Sequence, residues 1–263
     1  MSGYTDWTIK ETIQRIDNGK MYLPALQRKF VWKADQIIKL FDSILRGYPI
    51  GTFLFWNLAD AENIHEYSFY KFLTHYDEDS NKHNELAPFP QLENKEGYYG
   101  VLDGQQRLTS LYIGVYGSYT ERKKGVKHFH PDPFVKKYLY LNLLYNPNDT
   151  EYNINKYEFE FLSDKEFNDK TFDNNNLWIK VNELLEKEVA HFLIHNKNIK
   201  NLDVNLQENV ISIISNFQSK IKKETIINYY EENDQDLDKV LDIFVRVNSG
   251  GTQLSYSDLL MST

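Results

Sequence analysis

The sequence predicts a mixed α/β (α+β) fold, and three observations carry that reading. Short runs rich in β-branched and aromatic residues recur along the chain: Thr52-Phe53-Leu54-Phe55-Trp56, Tyr98-Tyr99-Gly100-Val101-Leu102 and Thr225 to Tyr230. Between them lie stretches with apolar residues at helical spacing, such as Leu108, Leu111, Tyr112 and Val115. Finally, Tyr138 to Leu144 and Glu158 to Leu162 alternate as an antiparallel strand pair does, joined by the turn around Pro147.

In chain order, Thr8 to Asn18 reads as an amphipathic helix with Ile9, Ile13 and Ile16 on one face, closed by Gly19. Tyr22 to Leu26 is extended, because Pro24 disfavours helix before it. Ala34 to Arg46 is a second amphipathic helix, with Ile37, Ile38, Phe41, Ile44 and Leu45 buried and Gly47 ending it. His75 to Gly97, acidic and Asn-rich, reads as a long surface loop. Tyr119 to Lys137 reads as basic and irregular, with Arg122, Lys123, Lys124, Lys127, Lys136 and Lys137 among His128 and His130. Val181 to Ile194, Leu206 to Ile221 and Leu237 to Val245 are helical patterns. A last helix opens at Leu254, capped by Ser255, with only a few residues after it, which suggests one domain of a longer polypeptide.

At 263 residues the chain can bury a substantial core, as one large domain or two small ones. A net charge of −8 argues against nucleic-acid binding by bulk electrostatics, although a local basic groove remains compatible with it. The absence of cysteine excludes disulfides and Cys-based zinc sites. Neither a secretory leader nor an apolar run of membrane-spanning length occurs, so the expectation is a cytoplasmic protein without a membrane partner. His191 and His195 stand at i, i+4 but lack a Glu base or a third ligand, and read as surface or packing residues.

Chemistry concentrates at Asp103-Gly104-Gln105-Gln106-Arg107, where an apolar strand meets a helix. Asp103 is a candidate N-cap, and Gly104 permits a tight turn and close approach of a ligand. The free N–H groups of the first helical turn favour an anion, beside which Arg107 adds a fixed positive fork. Two amides and a guanidinium in one turn exceed what capping requires. Two further clusters stand out. Gln27 and Arg28 precede Phe30-Val31-Trp32 with no evident structural task. Arg246, Asn248, Gly250 and Gly251 form a loop of small side chains and free backbone N–H groups, suited to an anion but lacking the lysine of a P-loop.

Together the stretches LQRKFVW, GYPIG, VLDGQQRLTSL and FVRVNSGGTQLSYSDLL resemble the N-terminal domain of GmrSD-type, modification-dependent restriction endonucleases, domain-of-unknown-function family 262. The resemblance covers nearly the whole chain. It implies a core similar to the ParB and sulfiredoxin nucleotide-binding fold, over residues 1–118, and an α+β remainder over 119–263 packed with it as one unit and carrying a helical and β-hairpin portion. It also implies binding and hydrolysis of a nucleoside triphosphate with Mg2+, in defence against phage, beside an HNH-type nuclease in a C-terminal domain or separate partner. No nuclease centre is expected in these residues: a His-Asn-His arrangement is missing, and Pro131-Asp132 lacks a Glu-x-Lys companion.

Carried over to this chain, the resemblance assigns Asp103 to the metal or the attacking water, Gln105 or Gln106 to water or phosphate, and Arg107 to phosphate. Gln27, Arg28, Gly104, Thr109, Arg246, Asn248, Gly250 and Gly251 would complete the nucleotide site. Two rival expectations are a sensor of modified DNA that binds nucleotide only as a switch, favoured by Arg122 to Lys137, and a structural platform for a partner.

Overall fold

The computed structural model describes residues 2–25, 29–58, 68–78, 84–87, 97–123, 125, 133–147, 155–173 and 175–248. Two sheets, both mixing parallel and antiparallel pairs or strand connections, enclose a helical layer. The first sheet has the order β1-β11-β3-β6-β2-β4. Its strands are β1 (Gly3–Trp7), β2 (Met21–Pro24), β3 (Phe53–Asn57), β4 (Phe69–Tyr70), β6 (Tyr99–Asp103) and β11 (Ile227–Glu232). β11 lies between β1 and β3, parallel to β3, so a strand from the C-terminal half occupies an interior position of a sheet otherwise built from the first 103 residues.

Alternation along these strands sorts side chains to two faces. Phe53, Phe55, Val101, Ile227 and Tyr229 enter the main core, where they meet α1 (Ile9–Asp17), α2 (Ala34–Leu45), α3 (Gln105–Val115) and α8 (Val204–Lys222). Leu54, Trp56 and Leu102 turn to the other face and pack with Val240 and Phe244 of α9 (Leu237–Asn248). α1 begins at a reciprocal cap: the Thr8 hydroxyl accepts from the Glu11 N–H and the Glu11 carboxylate accepts from the Thr8 N–H.

The second sheet has the order β10-β8-β7-β5, with β9 also paired to β8. Its strands are β5 (His75–Asp77), β7 (Ser118–Arg122), β8 (Phe134–Asn142), β9 (Glu158–Leu162) and β10 (Trp178–Lys180). The β8–β9 pair is the expected antiparallel one. Two expectations are corrected here. The stretch from His75 is not loop throughout, since β5 pairs parallel with β7 and Leu86 bridges Tyr70. Nor is Tyr119 to Lys137 irregular where it is described: β7 and β8 pair antiparallel from Tyr119 with Lys137 to Arg122 with Phe134, while Lys124, Lys127, His128 and His130 lie outside the described residues. Polar composition hides both strands, which are held by neighbours and not by propensity.

The helix expected over Val181 to Ile194 is broken into α5 (Val181–Glu186) and α6 (Val189–His195), with Lys187 extended between them. The Gln218 amide of α8 donates to the carbonyls of Leu184 and Lys187, at 2.7 and 2.9 Å, and thereby satisfies groups the break releases. Asp42, buried on α2, fastens the second sheet: Oδ1 accepts from the N–H groups of Lys156 and Tyr157, and Oδ2 from Arg46. Among the described residues, no helix is long and apolar enough to cross a membrane.

α3 is largely buried within the helical layer, and its Gly114 lies against Phe41 of α2. A Cβ on Gly114 would lie 2.3 Å from the Phe41 ring and 3.1 Å from a Leu139 methyl. Gly114→Val should therefore cost roughly 2–3 kcal/mol through overpacking, read in urea unfolding as a lower midpoint at unchanged slope. Wild-type stability would mean that α2, α3 and β8 do not pack this closely.

Candidate functional site

The Asp103 turn forms where β6 leaves the sheet, opposite Leu54 of β3. Gly104, and not Asp103, is the N-cap of α3. Its φ of 95° is left-handed, and a Cβ there would fall 2.1 Å from the Phe53 ring. Only glycine meets both conditions. Asp103 stays at the strand end, and its Oδ2 accepts from Arg107 Nη2 at 3.1 Å, one helical turn on.

Arg107 reaches further than a surface pair. Nη1 donates to the Ile50 carbonyl at 2.7 Å and Nη2 to the Thr52 carbonyl at 2.9 Å, while the guanidinium lies 4.2 Å above the Phe53 ring. The side chain is 18% exposed, and burial lowers its basicity from the ordinary value while Asp103 pulls it back. The turn before β3 is shaped for this fit: Gly51 is left-handed at φ 85°, and a Cβ there would stand 2.6 Å from Arg107 Nη1. Arg107 thus braces the GYPIG connection against α3.

Gln106 does the same on the other flank. Its Nε2 donates to the Lys29 carbonyl and its Oε1 accepts from the Val31 N–H, both at 2.9 Å. Gln105 is 5% exposed, and its amide makes no hydrogen bond among the described residues. Thr109, one turn on, is wholly buried, and its hydroxyl has no partner among them either.

The structure thus brings three motif stretches together: residues 29–31, the turn of residues 50–52 and the Asp103 turn. Gln27, Arg28, Gly250 and Gly251 lie outside the described residues, as does the side chain of Asn248, the last residue of α9. Arg246 is 78% exposed and donates to Asp242 at 2.8 Å on its own helix. The features that sequence reasoning missed are backbone carbonyls and the Phe53 ring, which no motif announces.

Among the described residues no group of three or more metal-ligating side chains occurs. The donor set at the turn is one carboxylate, whose Oδ1 makes no hydrogen bond among those residues. This suits Mg2+ that takes its remaining ligands from water and phosphate, and does not suit a cation held by protein alone. Of the basic stretch, Lys137 is ion-paired with both Glu121 and Glu166. A groove of about 710 Å3 beside α8, lined by Asn142, Tyr145, Tyr157, Asn209 and Asn216 among others, contains none of the candidate site residues.

An uncharacterized protein of Methanocaldococcus jannaschii is 26% identical over 275 aligned positions, which cover 96% of this chain and 40% of that protein. The chain therefore spans well under half the length of that relative. The model of the GmrSD restriction endonuclease N-terminal domain matches residues 9–263. With all of the braced motif stretches inside that match, the chain belongs to the family of GmrSD restriction endonuclease N-terminal domains.

Proposed function

We propose that this domain binds a nucleoside triphosphate with Mg2+ at the Asp103 turn and hydrolyses it, as the regulatory part of a restriction system that defends against phage. The observation that carries the reading is the turn itself: a left-handed Gly104 opens α3, so the backbone can approach a ligand without a side chain in the way. The N–H groups of the first turn supply fixed positive dipoles for phosphate. Asp103 offers one oxygen to the metal while Arg107 fixes the other. Gln105, adjacent in the same turn, contributes an amide. In-line attack by water needs these parts held in place before reaction, and the two braces hold them.

The position of α9 supports a contribution from the FVRVNSGG stretch. Trp56 Nε1 donates to the Asp234 carbonyl and Gln235 to the Asn57 carbonyl, so the chain enters α9 at the end of β3 remote from Phe53. α9 has 12 residues, a rise of about 18 Å, comparable to a five-residue strand. With Val240 and Phe244 packed on Leu54, Trp56 and Leu102, such a helix carries Arg246 toward the Asp103 end. Gln27, Arg28, Asn248, Gly250 and Gly251 are proposed to complete the site from the two flanks. Arg107 is proposed as its brace, with phosphate contact left to the helix N-terminus and the other arginines. The proposed partner is an HNH-type nuclease, in the same polypeptide or separate. The alternative, a sensor of modified DNA switched by nucleotide, rests on Arg122 to Lys137, where Lys137 is already paired.

The first test is phosphate release from each of the four ribonucleoside triphosphates. Turnover should require Mg2+ and fall at least about 100-fold in Asp103→Asn. Wild-type turnover in that variant, or a wild-type protein that binds no triphosphate, would end the reading. A second test separates brace from ligand. Arg107→Ala takes the partner from the part-buried Ile50 carbonyl and from the exposed Thr52 carbonyl and should lower unfolding stability by roughly 1–3 kcal/mol. If denaturant titration shows no loss, the guanidinium is free for phosphate after all.

A further inference from the structure

We propose that Gln106 is a positioning residue, a clasp between the backbone of Lys29 and Val31 and the first turn of α3, and that Gln105 is the ligand-facing amide of the pair. The second half rests on the nucleotide reading above; the first does not.

The carbonyl of residue 29 and the N–H of residue 31 flank Phe30 and point the same way from an extended chain. One primary amide closes on both, donating through Nε2 and accepting through Oε1. A carboxylate lacks the donor, an aliphatic side chain lacks both groups, and Asn is one methylene short. The clasp seats Phe30, which is buried with its ring 5.5 Å from that of Tyr76, edge to face. Val31, immediately after it, is 65% exposed. Its N–H would otherwise face water, and the bond to Gln106 is what withholds it. With one N–H and one lone pair of its amide held by the main chain, Gln106 is fixed in orientation by the protein. Gln105 is the reverse case: it is adjacent and only 5% exposed as a residue, yet its amide atoms are not among the buried polar atoms left without a partner, and among the described residues no contact to main chain holds them as those of Gln106 are held.

The test uses Gln106→Met, Gln106→Glu and Gln105→Met in the whole chain, with amide exchange at Val31 read by NMR or fragmentation-resolved mass spectrometry. In Gln106→Met the Val31 N–H should exchange roughly tenfold faster while α3 keeps its protection. Gln106→Glu, which retains the acceptor, should restore part of that protection. Triphosphate affinity should weaken several-fold in Gln106→Met, with the maximal rate at saturation within about twofold of wild type. In Gln105→Met, Val31 exchange should stay as in wild type while affinity or rate falls. Unchanged Val31 exchange in Gln106→Met overturns the clasp. A fall in maximal rate at full saturation in that variant, with Val31 exchange unchanged, makes Gln106 catalytic and overturns its positioning role. If the wild type binds no triphosphate, the assignment of Gln105 falls with the nucleotide reading, and the exchange data still decide the clasp.

Discussion

The contact on which the site depends is the guanidinium of Arg107 against the carbonyls of Ile50 and Thr52. It joins the helix after β6 to the turn before β3, two segments more than fifty residues apart that must agree in position if the sheet edge and the helix N-terminus are to meet. The geometry is unforgiving in both directions. Gly51 and Gly104 leave room for the guanidinium and for Phe53 respectively, and any side chain at either position would enter occupied space. Burial makes the arrangement costly to leave incomplete. A guanidinium at this depth needs its acceptors, and the part-buried Ile50 carbonyl is costly to leave without its partner, whereas the exposed Thr52 carbonyl can turn to water.

The rest of the fold supports this junction from two sides. The main core behind it is shared by both sheets and by α1, α2, α3 and α8, so α3 cannot shift without disturbing Phe41 and Leu139. On the opposite face, α9 covers Leu54, Trp56 and Leu102, the residues that alternate with those facing α3. The strand end that presents Asp103 is therefore sandwiched, and its direction is set by packing on both faces. A rigid mount of this kind is what a ligand site on a turn requires, since loops alone place groups loosely.

Much of this was legible in the sequence. Helical spacing at Leu108, Leu111, Tyr112 and Val115 located α3, and the dipeptide Asp103-Gly104 located the turn, because each depends on local chemistry alone. The alternating strands β8 and β9 were legible for the same reason. What was illegible depends on distant partners. β7 reads as polar and irregular, yet becomes a strand because β5 and β8 pair with its two edges. The break between α5 and α6 has no marker of its own, and the side chain that satisfies it, Gln218, lies some thirty residues on. The candidate site divides in the same way. Asp103 and Gly104 declare themselves, but nothing in the letters tells that Arg107 and Gln106 are directed at backbone atoms.

That division changes how the motif should be read. Arginine and glutamine in a turn that suits phosphate invite assignment to the ligand, since both are common phosphate and water contacts. Here two of the three polar side chains after Gly104 are engaged with the protein's own main chain, and what remains for a ligand is Gln105, one oxygen of Asp103 and the N–H groups at the start of α3. A motif of this type is held together by a constraint on architecture as much as by one on chemistry. Replacing Gln106 or Arg107 would move the surface on which the chemistry is proposed to occur, so loss of activity in such variants would not by itself identify a catalytic group. Only a measurement of backbone order alongside turnover separates the two.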